Sequence, residues 1–172
     1  MDSFFDLAKN RYSVRAYKDT PVEEEKLRKI LEAGLLAPTA RNGQPQKIYV
    51  VKSKEKLEKL AAVTPCTFKA PVVLAVGYYE ERTCAGKLYP GYDFGNTDAA
   101  IVCTHMMLEA ADLGVGSCWV GWFNEDEVRN ALGIPSNIRV CELMPMGYAA
   151  DNAVPAPLHT QSRSLSDVSE EI

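Results

Sequence analysis

Helices and strands alternate along this chain of 172 residues, which predicts a mixed α/β layered architecture. Three observations carry that expectation. Pro71–Tyr79 is almost unbroken apolar sequence, the pattern of a central strand covered on both faces. Leu27, Ile30, Leu31, Gly34 and Leu35 recur three and four apart, one buried stripe of a helix. A longer run, from Ala99 to Ala111, is apolar almost all round and predicts a helix buried on every side.

Taken in order, Phe4, Phe5, Leu7 and Ala8 predict a short helix over Asp2–Asn10. Pro21 with Glu23, Glu24 and Glu25 suits the positive end of a second helix, which Pro38 stops. A strand is expected over Lys47–Val51, then a lysine- and glutamate-rich helix from Lys54 to about Ala62. The apolar strand Pro71–Tyr79 leads into a loop, Glu80–Tyr92, punctuated by Gly86, Pro90 and Gly91. Asn96 and Thr97 are expected to cap the long helix, which runs to about Leu113. Ser117–Val120 is expected as a strand, Asn124–Leu132 as a capped helix and Arg139–Tyr148 as a last strand. From Gly147 to Ile172 the chain is rich in proline and serine and has no core pattern. A helix apolar on all sides needs more cover than one small domain gives, so a subunit interface is expected. The coreless tail is expected to lie on something else, such as a partner subunit.

Charge and composition narrow the function. Lysine and arginine number 19 against 23 acids, a net charge of -4, so no basic face for nucleic acid is indicated. No charge-free run reaches the length of a membrane span. Met1–Lys9 lacks the basic start and long apolar core of a secretory signal. Five cysteines form no CxxC pair, which argues against a disulfide scaffold or zinc and fits reduced thiols in a cytoplasm. With only His105 and His159, a histidine-rich metal centre is excluded. Cys118 and Cys141 lie in apolar strands and are expected to be inert core residues; His105 is expected to be a satisfied core histidine.

Three short stretches bear chemistry. In Arg11-Tyr12-Ser13-Val14-Arg15, an extended backbone would turn Arg11, Ser13 and Arg15 to one face. Two guanidinium forks and a hydroxyl suit a phosphate dianion, while a solvated polar face is the plainer alternative. In Ala37-Pro38-Thr39-Ala40-Arg41-Asn42-Gly43-Gln44-Pro45, glycine and prolines force a tight turn that carries Asn42 and Gln44. Side-chain amides offer donors and acceptors, as the pyrimidine edge of a flavin requires. An ordinary helix-to-strand turn is the alternative. In Gly114–Gly121, Gly114 suits the end of the long helix, and Gly121 allows a flat ring to approach the backbone near a free N–H. The glycines follow a helix and enter a strand, the reverse of the dinucleotide-binding order. Trp119 and Trp122 straddle Gly121 and either pack or border the ring.

With these stretches in place, the chain resembles the FMN-dependent nitroreductase family in its short form. Arg11–Tyr17 looks like the family's arginine–serine–arginine signature, Ala37–Pro45 its second motif and Gly114–Gly121 its third. The resemblance implies an α+β fold, a mixed sheet flanked by helices, in an intertwined homodimer. It implies one domain over residues 1–172, with a tail from about 150 to 172 crossing the partner subunit. Arg11, Tyr12, Ser13 and Arg15 would bind the phosphate end of FMN. Pro38, Thr39, Ala40 and Asn42 would come from the second subunit, and Gln44 would also bind the cofactor. Trp119, Val120 and Gly121 would line the ring, and Arg163 would complete the phosphate site.

The activity implied is a ping-pong transfer of hydride from NADH or NADPH, through flavin N5, to a nitroaromatic, quinone or similar small-molecule acceptor. No side chain is assigned as acid or base, and no metal is implied. A dehalogenase or dehydrogenase of a specialised substrate and a non-catalytic FMN-binding protein are the alternatives, since one fold hosts several chemistries. Two positions depart from the family pattern. Gln161 stands where lysine is frequent, and Gln46 where tryptophan is common. The Glu80–Tyr92 loop is short, which predicts an open pocket edged by Tyr89 or Tyr92.

Overall fold

The computed structural model describes residues 3–84 and 91–172, so the features expected at Gly86, Tyr89 and Pro90 lie outside the described residues. Helix α1 spans Phe4–Asn10 and is closed by a capping box, with Ser3 and Asp6 exchanging hydrogen bonds. Helix α2 spans Glu24–Leu35 and buries Leu27, Ile30 and Gly34 along the expected stripe. It starts after Pro21, with Glu23 at the cap, and ends before Pro38 at Leu36. Strand β1 follows at Gln46–Val51, helix α3 at Lys54–Val63 and strand β2 at Val72–Tyr79.

Helix α4 covers Gly95–Asp112. Asn96 and Thr97 therefore lie inside its first turn and do not cap it. The cap comes from further back, where the Asp93 carboxylate accepts the Gly95 N–H at 2.8 Å and the Tyr78 hydroxyl. Strand β3 is only Gly116–Ser117, helix α5 is Glu125–Leu132 with Asn124 capping it, and strand β4 is Ile138–Gly147. A single short turn of helix, α6, occupies Leu165–Val168 in the tail.

The four strands lie in the order β1-β2-β4-β3, each pair antiparallel. A parallel bridge from Ser13 to Ser117 joins the N-terminal segment to the sheet and makes it mixed. The fold is α+β. Strand β2 is buried from Val72 to Tyr78 because α2 and α4 cover one face while α3 and α5 cover the other. Gly34 lets α2 approach α4, since a Cβ there would come 3.0 Å from Met106 Cγ. The sheet side of α4, with Ala99, Val102, Cys103, Met106 and Ala110, is fully buried. Ile101, Thr104, His105 and Leu108 are only half-buried, so one copy of the chain does not bury α4 all round.

One irregularity marks the sheet centre. The β2–β4 register slips between Val76 and Gly77, leaving Cys141 as the extra residue between Val140 and Glu142. Glu142 is buried there with Oε2 unpartnered among the described residues, and burial pushes its carboxyl up to about 8.

Candidate functional site

Helix α1 stops at Arg11, whose ψ of 134° turns the chain from helical to extended. Just beyond, Ser13 pairs with Ser117 and the Val14 N–H donates to the Ser117 carbonyl at 2.9 Å. Val14 is buried, and it fits because position 116 is glycine: a Cβ there would fall 2.7 Å from Val14 Cγ2. The Tyr17 hydroxyl ties the segment down by donating to the Val14 carbonyl at 2.7 Å and the Pro145 carbonyl at 3.0 Å. Burial pushes its phenol far above the usual range.

Fixing Val14 inward turns Arg11, Ser13 and Arg15 the other way, as the alternation predicts. Arg15 Nη1 donates to the Ser13 carbonyl at 3.3 Å. Burial raises the Cys118 thiol, and the positive charges of Arg15 and Arg11 work against that rise. Arg15 is exposed, and Arg11 and Arg15 form no ion pair among the described residues, whereas Arg28, Arg129 and Arg139 do. Cys118 is buried as expected; Cys141 is only half-buried. His105 is satisfied, with Nδ1 3.0 Å from the Ile101 carbonyl.

The third stretch continues from this junction along β4. Cys118 N–H donates to the Pro145 carbonyl, and Val120 exchanges two 2.9 Å backbone bonds with Leu143. The pairing ends there. Gly121 is exposed and its N–H meets no backbone carbonyl among the described residues. Trp119 and Trp122 flank it at 38% and 78% exposure, so neither is packed into the core. Gly114 has a reason to be glycine, its φ of 72° just beyond the α4 cap. Gly121 has none among the described residues: its φ is outside the left-handed region, and an added Cβ would meet none of them within 4 Å.

The second stretch is a wound loop at the far end of α4. Asn42 N–H donates to the Thr39 carbonyl, Gly43 N–H to the Ala40 carbonyl and Gln44 N–H to Thr39 Oγ1. Gln44 Nε2 donates to Asn42 Oδ1 at 3.0 Å, so the two amides expected to act together do touch. Arg41, Asn42 and Gln44 all have positive φ, at 55°, 54° and 46°, while Gly43 has an ordinary φ of -68°. Pro38 and Gln44 are exposed and Thr39 and Ala40 half-buried. The loop is anchored by the Ala40 N–H donating to Asp98 Oδ1 at 2.8 Å. Asp98 was not among the residues expected at the site; an acid in a first helical turn reads as a partner of the helix dipole.

Within one chain, then, the first and third stretches meet and the second stands apart. The loop sits beside the start of α4, and Gly114–Ser117 follow its end. Eighteen residues of helix separate them by roughly 27 Å.

The tail begins along its own chain. Ala149 bridges Tyr17, Ala150 N–H donates to the Ala16 carbonyl, and the Tyr12 and His159 rings stand edge to face at 6.2 Å. A cavity of about 480 Å³ opens between Lys9, Arg11, His159 and Ser162, so the tail brings its residues up to Arg11. Arg163 comes next, exposed and without an ion pair among the described residues. Val154, Leu158, Leu165 and Val168 leave most of their apolar surface exposed. Gln46 fills its place at the start of β1 with Oε1 buried and unpartnered among the described residues. Tyr92 is exposed and packs edge to face on Phe94. Among the described residues no helix is long and apolar enough to cross a membrane.

Comparison with known proteins places the chain in a family. The profile of the nitroreductase family matches residues 8–69 and 64–148. The crystal structure of a nitroreductase family protein from Clostridium difficile 630 superimposes with a TM-score of 0.89 at 34% identity, covering 99% of this chain and 98% of that one. An FMN-dependent nitroreductase from Clostridium difficile R20291 gives 0.75 at 30% identity, with 95% and 93% covered. A Thermus thermophilus protein described as NADH dehydrogenase is 30% identical over 180 residues, 87% of this chain and 88% of that one. The chain belongs to the nitroreductase family.

Proposed function

We propose that two copies of this chain hold FMN in the seam between them and move hydride from NADH or NADPH to a nitroaromatic or quinone-like acceptor. The observation that carries this reading is Gly121. Among the described residues neither its backbone nor any neighbour demands glycine, and its N–H is free. A flat ring laid against that backbone supplies the missing demand. The donor set fits the rest of the cofactor: Arg11, Ser13 and Arg15 for the phosphate, with Tyr12 beside them and Arg163 arriving from the tail. Pro38, Thr39, Ala40, Asn42 and Gln44 of the second copy would face the same ring, because 27 Å of helix, roughly, keeps them from their own chain's arginines.

The bound flavin supplies the two-electron redox chemistry. The chain's own residues bind, orient and exclude water. Trp119 and Val120 would line the ring, the Gly121 N–H would be the backbone donor offered to it, and the paired amides of Asn42 and Gln44 would offer donors and acceptors to the pyrimidine edge. Nicotinamide and acceptor would use one open face in turn, which is the origin of the ping-pong order. One domain over the whole chain, a tail that crosses the partner beyond its first residues, and a cytoplasmic setting complete the reading. The half-buried outer face of α4 and the apolar side chains of the tail are the surfaces that the second copy would cover.

The visible spectrum of the purified protein tests it, followed by steady-state oxidation of each nicotinamide with a nitroaromatic or quinone. A yellow protein with turnover above free FMN is expected. A colourless chain that takes up no added FMN would overturn the reading, and flavin without turnover would reduce it to a binding protein.

A further inference from the structure

We infer that Asp98 is a positioning residue acting in trans: from one copy of the chain it fixes the Thr39–Gln44 loop that completes the flavin site of the other. This rests on the function proposed above and adds a residue to it.

Asp98 is 3% exposed, far more buried than a first-turn carboxylate has to be in order to interact with its helix dipole. Its Oδ2 is buried without a partner among the described residues, an arrangement that destabilises the fold unless something else is gained. The gain is visible at the other oxygen. Oδ1 accepts the Ala40 N–H at 2.8 Å, across 58 residues of sequence.

What that bond holds is a strained turn. Arg41, Asn42 and Gln44 occupy the left-handed region without being glycine, a conformation that persists only where the surroundings over-determine it. The loop's remaining hydrogen bonds are local, to Thr39, Ala40 and Asn42. At its entry the bond to Asp98 ties it to α4, and at its exit the Pro45 carbonyl accepts the Tyr79 N–H. Asp98 therefore sets where the loop starts and which way Asn42 and the neighbouring backbone face. Asn42 and Gln44 are exposed, turned away from their own core. The arginine cradle of the same chain lies at the opposite end of α4, so the loop serves a cradle on another copy.

A subunit-mixing experiment tests this with bound FMN as the readout, by flavin fluorescence and the visible band. Asp98→Ala alone is expected to hold FMN about tenfold or more weakly, as loss of a hydrogen bond to a charged group predicts. Asp98→Asn, which keeps the acceptor oxygen, is expected to restore binding. The double variant Arg11→Ala/Arg15→Ala should fail through the cradle. When Asp98→Ala and double-variant chains are refolded together, each mixed dimer regains one native site, about one tight site in four overall.

Flavin retention by Asp98→Ala equal to wild type would overturn the inference, and so would mixed dimers, verified by two tags, that regain no tight site. If Asp98→Ala does not fold, Asp98→Ser takes its place with the same outcomes. A wild-type chain that binds no FMN would instead remove the functional reading beneath it.

Discussion

Replacing Gly121 with valine separates what the fold needs from what the ligand needs. The backbone there is outside the left-handed region and no atom of the described residues lies within 4 Å of an added Cβ, so the change belongs with ordinary surface substitutions. Stability should move by no more than about 0.5 kcal/mol. The flavin would feel it strongly. A ring in van der Waals contact sits about 3.5 Å from the backbone atoms, space the valine methyls take. Forcing such overlap costs roughly 1–3 kcal/mol, which is about 5- to 140-fold in affinity. Gly116→Ala is the contrasting control. Its Cβ would fall 2.7 Å from Val14 Cγ2, so it should destabilise the chain even without cofactor. At this chain length each kcal/mol lowers Tm by roughly 2–4 °C. The assay is thermal unfolding of both cofactor-free variants beside FMN titration by fluorescence quenching. Gly121→Val that binds FMN like wild type would refute the placement of the ring.

Three further outcomes are expected. Arg11→Ala or Arg163→Ala weakens FMN retention, and the deficit shrinks as salt rises because a phosphate contact is lost; titration at two ionic strengths checks it. Glu142 is buried with its carboxyl pushed from 4.5 to about 8, so the folded state holds the extra proton and stability falls as pH rises across that interval. Glu142→Gln should flatten that fall and add roughly 2 kcal/mol above pH 8, read by denaturant melts across pH. Sedimentation should give a particle of two 19.0 kDa chains at micromolar concentration, and a stable monomer would contradict the shared site.

What was legible in the sequence depended on how local its cause is. Strand β2 was legible because burial on both faces writes an unbroken apolar run. The Gly114 turn and the Asn124 cap were legible because each is settled within one helical turn. The start of α4 was misread by a residue or two, since Asp93 caps it and Asn96 only resembles a cap. Strand β3 came out shorter than Ser117–Val120 because Cys118 and Trp119 interrupt the regular ladder before Val120 pairs again. The extended backbone after α1 was legible, and it pairs Ser13 with Ser117 and buries Val14. The left-handed turn was not: the sequence points to Gly43 as its special residue, whereas Arg41, Asn42 and Gln44 carry the unusual conformation. That depends in part on Asp98, a contact with no local signature.

The length of α4 has a consequence for how the protein behaves on dilution. On the proposed reading, each chain would carry the complementary parts of a site at opposite ends of α4, and no isolated chain would own a complete one. Capacity for the cofactor is then tied by mass action to self-association, and under scarcity it falls as the square of chain concentration. Specific activity measured at nanomolar and at micromolar enzyme would differ, and added FMN would pull the chains together.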